Sequence, residues 1–171
     1  MTIHPSGQVL PGQTTIGHVH LKVSDLERAV RFYTDVLGFQ VTARMGLKAA
    51  FLSAGGYHHH LGLNTWESEG GPPPGRGTTG LYHFAVLLPD RKELARALKR
   101  LQDNEWPIDG AADHGVSEAI YLRDPDGNGI ELYADRPRDE WPKGPDNEIV
   151  MYTHRLDLEG LLAELGSQGA L

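Results

Sequence analysis

Apolar and polar residues alternate in two short stretches of the chain that lie 65 residues apart. The first covers residues 15–23, where Ile16, Val19, Leu21 and Val23 alternate with His18, His20 and Lys22. The second covers residues 80–88 and runs on from His83. Such alternation predicts a strand with one buried face. Seven residues after His18, and again seven residues after His83, an aspartate precedes apolar positions at helical spacing. This pattern predicts a capped helix in each place.

Each stretch is the first strand of a longer pattern, in which a helix and three further strands follow. The chain therefore reads as two βαβββ units of an α+β fold. The predicted organisation is an N-terminal arm over 1–13, a first unit over 14–66, a linker over 67–79, a second unit over 80–136 and a C-terminal extension over 137–171. The predicted strands of the first unit after its helix cover about 39–45, 47–54 and 58–66; those of the second cover about 107–111, 117–123 and 129–134. The extension is rich in proline and charge before a short amphipathic helix at about 157–165.

The composition limits which ligands could hold a metal and which partners the protein could bind. The 171 residues include no cysteine, which excludes disulfides and thiolate ligands, so a bound metal would be held by histidine, carboxylate and water. The net charge of −7 argues against nucleic acid or an anionic membrane as a partner. The chain has neither a basic, apolar N-terminal segment nor an apolar run of about 20 residues, so we expect a soluble cytoplasmic protein.

Three residues are candidate metal ligands. His18 and His83 occupy equivalent positions of the repeat, and Glu131 lies between two apolar residues of the last predicted strand. Two imidazoles and one carboxylate form a set that suits Fe(II) or Mn(II) and leaves positions open. Two alternatives remain: a single inward histidine is more often a packing residue, and His20 shares the face of His18 and becomes the ligand if the register slips by two.

These residues, together with the segment Asp124-Pro125-Asp126-Gly127-Asn128-Gly129-Ile130-Glu131, resemble the vicinal oxygen chelate superfamily over about residues 14–136. That superfamily includes glyoxalase I, bleomycin- and fosfomycin-resistance proteins and extradiol ring-cleaving dioxygenases. The resemblance implies sheets that curve into a half-barrel around a metal held by His18, His83 and Glu131, with the helices outside.

Within the superfamily the sequence is most similar to the catechol 2,3-dioxygenase branch. That branch has a histidine, a tyrosine and a ligating glutamate in the order found here as His114, Tyr121 and Glu131, and the step of ten residues from the tyrosine to the glutamate matches. It also has a His-His pair whose second member transfers protons. By register this is His59 of the triplet His58-His59-His60, although a surface triplet or an adventitious metal-binding tract is the alternative.

Gly62 separates the activities within the superfamily. Glyoxalase I and the related epimerases use a fourth ligand from the strand position that Gly62 occupies here, and glycine has no side chain to offer. Three ligands leave room for a bidentate substrate and O₂. The resemblance therefore implies an extradiol-type dioxygenase that contains Fe(II), or alternatively Mn(II), and acts on an aromatic diol and O₂. A homodimer that completes the pocket, a lyase or transferase of glyoxalase or fosfomycin-resistance type and a small-molecule-binding resistance protein stay open as alternatives.

Overall fold

The computed structural model describes residues 9–75 and 77–166. The first unit consists of β1 (Val19–Lys22), α1 (Leu26–Arg31) with a π-helical turn over Phe32–Val36, β2 (Gln40–Met45), β3 (Ala49–Ser53) and β4 (Leu61–Asn64). The second consists of β5 (Phe84–Leu87), α2 (Arg91–Asp103), β6 (Ile108–Asp113), β7 (Ser117–Arg123) and β8 (Gly129–Asp135). The extension adds a 3₁₀ turn (Arg138–Glu140), β9 (His154–Arg155) and α3 (Leu158–Ala163). Residues 1–8 of the predicted arm and 167–171 of the extension lie outside the described residues.

The two units share one sheet topology. The first sheet has the order β1-β4-β3-β2 and the second has β5-β8-β7-β6-β9. In each unit the first strand runs parallel to the fourth, and the remaining pairs within the unit are antiparallel. A parallel pair needs a long crossover, which here contains the helix and the two intervening strands. The predicted α+β fold of paired βαβββ units is confirmed.

The helices begin where the sequence predicts. The carboxylate of Asp25 accepts a hydrogen bond from the backbone N–H of Arg28, and that of Asp90 accepts one from Glu93. Each cap satisfies a backbone donor that the first helical turn leaves unpaired. The apolar faces of α1 and α2 then pack on the sheets of their own units, and the buried residues of both units form one core.

The turn between β7 and β8 joins the two units. The hydroxyl of Tyr33, which is buried after α1, donates to Asp124 Oδ2 over 2.9 Å. Asp126 accepts hydrogen bonds from the backbone and hydroxyl of Ser24 and forms an ion pair with Arg28 at 2.6 Å. Buried carboxylates require such partners. The turn therefore positions β8 against the first unit.

Three details differ from the sequence prediction or extend it. His58, His59 and His60 precede β4 in an irregular segment, so the predicted strand over 58–66 is wrong at its start. Ile16 is 90% exposed and lies outside the core. The extension covers the β6 edge of the second sheet, where β9 pairs with β6. None of the helices in the described part of the chain is long and apolar enough to cross a membrane.

Candidate metal centre

Four predicted site residues of the second unit form one connected row. His83 Nε2 lies 3.0 Å from Glu131 Oε2, and the other carboxylate oxygen of Glu131 lies 3.1 Å from the hydroxyl of Tyr121. That hydroxyl lies 2.8 Å from His114 Nε2. A carboxylate, a phenol and two imidazoles are thus linked on one face of the sheet.

Strand register explains why these side chains meet. Tyr121 of β7 lies directly opposite Glu131 of β8, so the two side chains emerge on the same face. Ile130, Leu132 and Ala134 point to the core, whereas Glu131 is only partly buried. His83 stands immediately before β5 and passes close to Gly129, where a Cβ would clash with the backbone oxygen of Tyr82.

The environment keeps Tyr121 protonated. Burial and the negative charge of Glu131 raise the pKa of Tyr121 to about 12. Burial followed by the charge of Asp135 also raises the pKa of Tyr133 on the same strand face as Glu131. A phenol with a raised pKa remains a hydrogen-bond donor at neutral pH. Tyr121 can therefore donate a proton to a neighbouring oxygen or nitrogen.

An open cleft of about 230 Å³ lies beside this row. His83 and Tyr121 line it, and an ion pair of 2.9 Å between Asp109 and Arg123 stands at its wall. Its volume falls below the roughly 300–1,000 Å³ of pockets for drug-sized ligands. The cleft is therefore of a size for a small, single-ring molecule.

The histidines of the first unit form a second group. The ring centroids of His18 and His59 are 4.6 Å apart. The ring of His59 also contacts that of Phe51, at a centroid distance of 5.0 Å. His58 Nδ1 and His59 Nδ1 are 2.7 Å apart. Partial burial, followed by the neighbouring imidazoles of His58 and His18, lowers the pKa of His59. A lowered pKa favours the neutral ring, which can accept a proton.

His20 and Gly62 form a pair that mirrors Ala85 and Glu131. In the parallel ladders His20 lies beside Gly62, and Ala85 lies beside Glu131. A Cβ at Gly62 would lie 2.8 Å from His20 Nδ1, so the imidazole rests over the glycine. Burial and then the charge of His18 lower the pKa of His20. Gly62 therefore holds the position equivalent to Glu131, as the sequence predicted, and supplies no ligand.

The structure brings the candidates together as two groups. His83, Glu131, Tyr121 and His114 form the row on the second sheet, and His18 and His59 lie on the first. Within residues 9–75 and 77–166, no three histidine, aspartate or glutamate side chains converge as a metal-holding cluster. The role of His18 as third ligand therefore stays a prediction.

Comparison with known proteins identifies the family. Residues 15–132 match the sequence profile of the Glyoxalase/Bleomycin resistance protein/Dioxygenase superfamily. The chain belongs to this superfamily. Among solved structures, a glyoxalase/dioxygenase from Nostoc punctiforme aligns with a TM-score of 0.62 at 23% identity, covering 80% of this chain and 100% of that one. The vicinal oxygen chelate resemblance and its fold are thereby confirmed.

Two relatives within the superfamily carry dioxygenase names. A catechol-2,3-dioxygenase of Bacillus subtilis strain 168 is 50% identical over 155 residues, which cover 91% of this chain and 53% of the relative. The biphenyl-2,3-diol 1,2-dioxygenase 3 of Rhodococcus globerulus is 32% identical over 120 residues, covering 70% and 63%. The chain thus spans between half and two thirds of the length of these relatives.

The sequence analysis did not predict several groups that contact the candidate site residues. The rings of Phe51 and Trp66 flank the ring of His20, with centroid distances of 6.0 and 5.7 Å. Their positions on or just after strands were a usable signal. The carbonyl of Tyr152, which lies 2.9 Å from His114 Nδ1, had no sequence signal because every residue carries a carbonyl.

Proposed function

We propose that the protein is a metal-dependent extradiol-type dioxygenase that cleaves a catechol-like aromatic diol with O₂. The observation that carries this proposal is the connected row of His83, Glu131, Tyr121 and His114 beside a small cleft. The 50% identity to a protein named catechol-2,3-dioxygenase supports the same assignment.

Part of the predicted ligand set fits a metal ion. His83 Nε2 and Glu131 Oε2 are 3.0 Å apart, and two adjacent ligands at right angles with bonds of about 2.1 Å would be about 3 Å apart. We propose His18 as the third ligand and Fe(II) as the metal, with Mn(II) as the alternative. Such a metal would act as a Lewis acid toward both diol oxygens and keep a position for O₂.

The surrounding side chains have complementary proton chemistry. The lowered pKa of His59 keeps its ring neutral, and a neutral ring can accept a proton from a diol hydroxyl. The raised pKa of Tyr121 suits a donor that keeps its proton until a negative oxygen forms next to it. His114 would orient Tyr121, since its two ring nitrogens face the Tyr121 hydroxyl and the Tyr152 carbonyl.

The direct test is an assay of protein loaded anaerobically with Fe(II) or Mn(II) against a panel of catechols. We expect O₂ uptake and a yellow ring-opened product that depend on the metal. Variant Glu131→Gln should abolish both, whereas Gln102→Ala, on the exposed face of α2, should be close to wild type. Turnover without O₂ uptake would favour a lyase or transferase, and no uptake with any diol would contradict the proposal.

The third ligand can be tested separately by metal titration. Variant His18→Ala should weaken binding of Fe(II) or Mn(II), because an imidazole ligand is lost. Variant His20→Ala is the matched control on the same strand face. If His20→Ala weakens binding and His18→Ala does not, the ligand is His20 and the register differs by two residues.

A further inference from the structure

The C-terminal extension reaches the row of site residues through Tyr152. The carbonyl of Tyr152 accepts a hydrogen bond from His114 Nδ1 over 2.9 Å. In return, the backbone N–H of Tyr152 donates to the carbonyl of His114 over 3.3 Å. Two residues later β9 pairs with β6, the strand that leads into His114. Both the ring and the backbone of His114 are therefore held by the extension.

This contact selects one tautomer of His114. A carbonyl oxygen can only accept a hydrogen bond, so His114 Nδ1 must carry the hydrogen. The position of that hydrogen leaves a lone pair on Nε2 of the neutral ring. Nε2 faces the hydroxyl of Tyr121 at 2.8 Å and can accept its proton.

Packing holds the Tyr152 carbonyl in place. Gly115 has a φ of +79°, and a Cβ there would lie 2.7 Å from the ring of Tyr152 and 2.9 Å from that of Pro142. The two side chains therefore lie directly on the glycine backbone. Tyr152 also stacks on His154 at 4.2 Å, and the Val150 N–H donates to the Pro142 carbonyl over 2.9 Å.

We propose that residues 142–155 are a positioning segment whose Tyr152 carbonyl holds His114 in the Nδ1–H tautomer. Tyr121 has one proton and two acceptors, His114 Nε2 at 2.8 Å and Glu131 Oε1 at 3.1 Å. In the selected tautomer the Tyr121 hydroxyl, which donates to Glu131 Oε1 here, can turn to His114 Nε2 instead and leave the Glu131 carboxylate free to bind a cation. The segment lies beyond residues 15–132, where the superfamily profile matches. Only its consequence for catalysis rests on the proposed function.

Nitrogen-15 NMR of the full, metal-free chain tests the tautomer directly. Long-range ¹H–¹⁵N correlation at a pH of about 8.5, where an imidazole is neutral, distinguishes a protonated from an unprotonated ring nitrogen. The signals of His114 are assigned by their loss in His114→Gln. We expect a protonated Nδ1 and an unprotonated Nε2. A ring protonated at Nε2 would overturn the proposal.

A pair of variants tests the role of the segment. Tyr152→Ala keeps the carbonyl but removes the ring that packs on Gly115, so we expect a mixture of tautomers. Ile149→Ala, whose side chain is 54% exposed in the same segment, should keep the wild-type tautomer. An unchanged tautomer in a folded Tyr152→Ala protein would overturn the positioning role. If Tyr152→Ala does not fold, Tyr152→Leu, which fills part of the space of the ring, replaces it under the same criterion.

Kinetics separate this proposal from the proposed function. In the metal-loaded dioxygenase assay, Tyr152→Ala should lower kcat about tenfold with little change in KM, because a proton path is disturbed while the cleft stays intact. Equal loss in Ile149→Ala would contradict the positioning role. If wild-type protein shows the Nδ1–H tautomer but cleaves no catechol, the positioning segment stands and the dioxygenase proposal fails.

Discussion

The two βαβββ units have the same strand order but place their polar side chains differently. In the first unit His20 of the first strand rests over Gly62 of the fourth. In the second unit the large polar group is Glu131 of the fourth strand, beside the small Ala85 of the first. A duplicated backbone thus keeps one large polar residue per unit at this position while exchanging the strand that carries it.

The two units also differ in how their polar groups interact. Glu131, Tyr121, His83 and His114 are linked atom to atom by short polar contacts. The first unit instead brings rings together, with His18, His59 and Phe51 in contact. We therefore assign cation binding and proton transfer along hydrogen bonds to the second unit, and the supply of imidazoles and an aromatic surface to the first. The four predictions below test this division of roles.

The largest expected effect is on metal-dependent activity. Glu131→Gln keeps the shape of the side chain but removes the charge that a cation needs, so activity should fall about 1,000-fold or more. His20→Asn, at the mirrored pair of the first unit, should cost less than about tenfold, since we assign it no metal. Turnover and bound metal in both variants measure the difference. Comparable losses would show that the two units do not divide the roles as proposed.

Glycine substitutions compare the backbones of the two units. Gly129→Ala places a Cβ against the backbone oxygen of Tyr82, which cannot move aside, and should cost about 3 kcal/mol. Gly62→Ala meets only the side chain of His20, which is exposed and can rotate, and should cost about 1 kcal/mol. Urea denaturation gives both values. Gly56→Ala, which meets nothing within 4 Å, is the control.

The contact that joins the units gives a pH-dependent prediction. Burial and the charge of Asp124 raise the pKa of Tyr33. The folded protein therefore keeps this proton above about pH 10, where an unfolded tyrosine ionises, so stability is full below pH 10 and falls as the pH rises further. Tyr33→Phe should cost about 2 kcal/mol at pH 7 and make that alkaline decline shallower. Denaturation at a series of pH values checks this, and an equally steep decline in the variant would contradict it.

The smallest expected effect comes from copying the second arrangement into the first unit. The double variant His20→Ala/Gly62→Glu reproduces the Ala85–Glu131 pair on β1 and β4. An added carboxylate near His18 should tighten binding of a divalent metal about tenfold and lower ring cleavage by occupying an open position. His20→Ala alone is the control. Unchanged metal affinity would indicate that Gly62 does not face the metal.

The sequence predicted much of the second unit because its signals are local. Alternation about Ile130 and Leu132 indicated the face of Glu131, and the ten-residue step from Tyr121 to Glu131 matched the spacing of the dioxygenase branch. The strand register then places the two residues opposite each other. The irregular start of β4 was not predictable in this way. The Ser53 hydroxyl and the Ala54 N–H form hydrogen bonds with His60 Nδ1, and the Thr42 hydroxyl donates to the His58 carbonyl. These contacts hold the histidine triplet in an irregular conformation before β4.

By itself the sequence determined the repeated units, the helix caps, the superfamily and the side chains available to a metal, because periodicity, capping and residue type are properties of short segments. Only the tertiary structure decided that His18 lies with His59, that His20 covers Gly62, and that the Tyr152 carbonyl holds His114 across 38 residues of chain. These contacts join segments that are distant in sequence. In our proposal, the tautomer of His114 is thus set by a backbone group that no side-chain pattern marks.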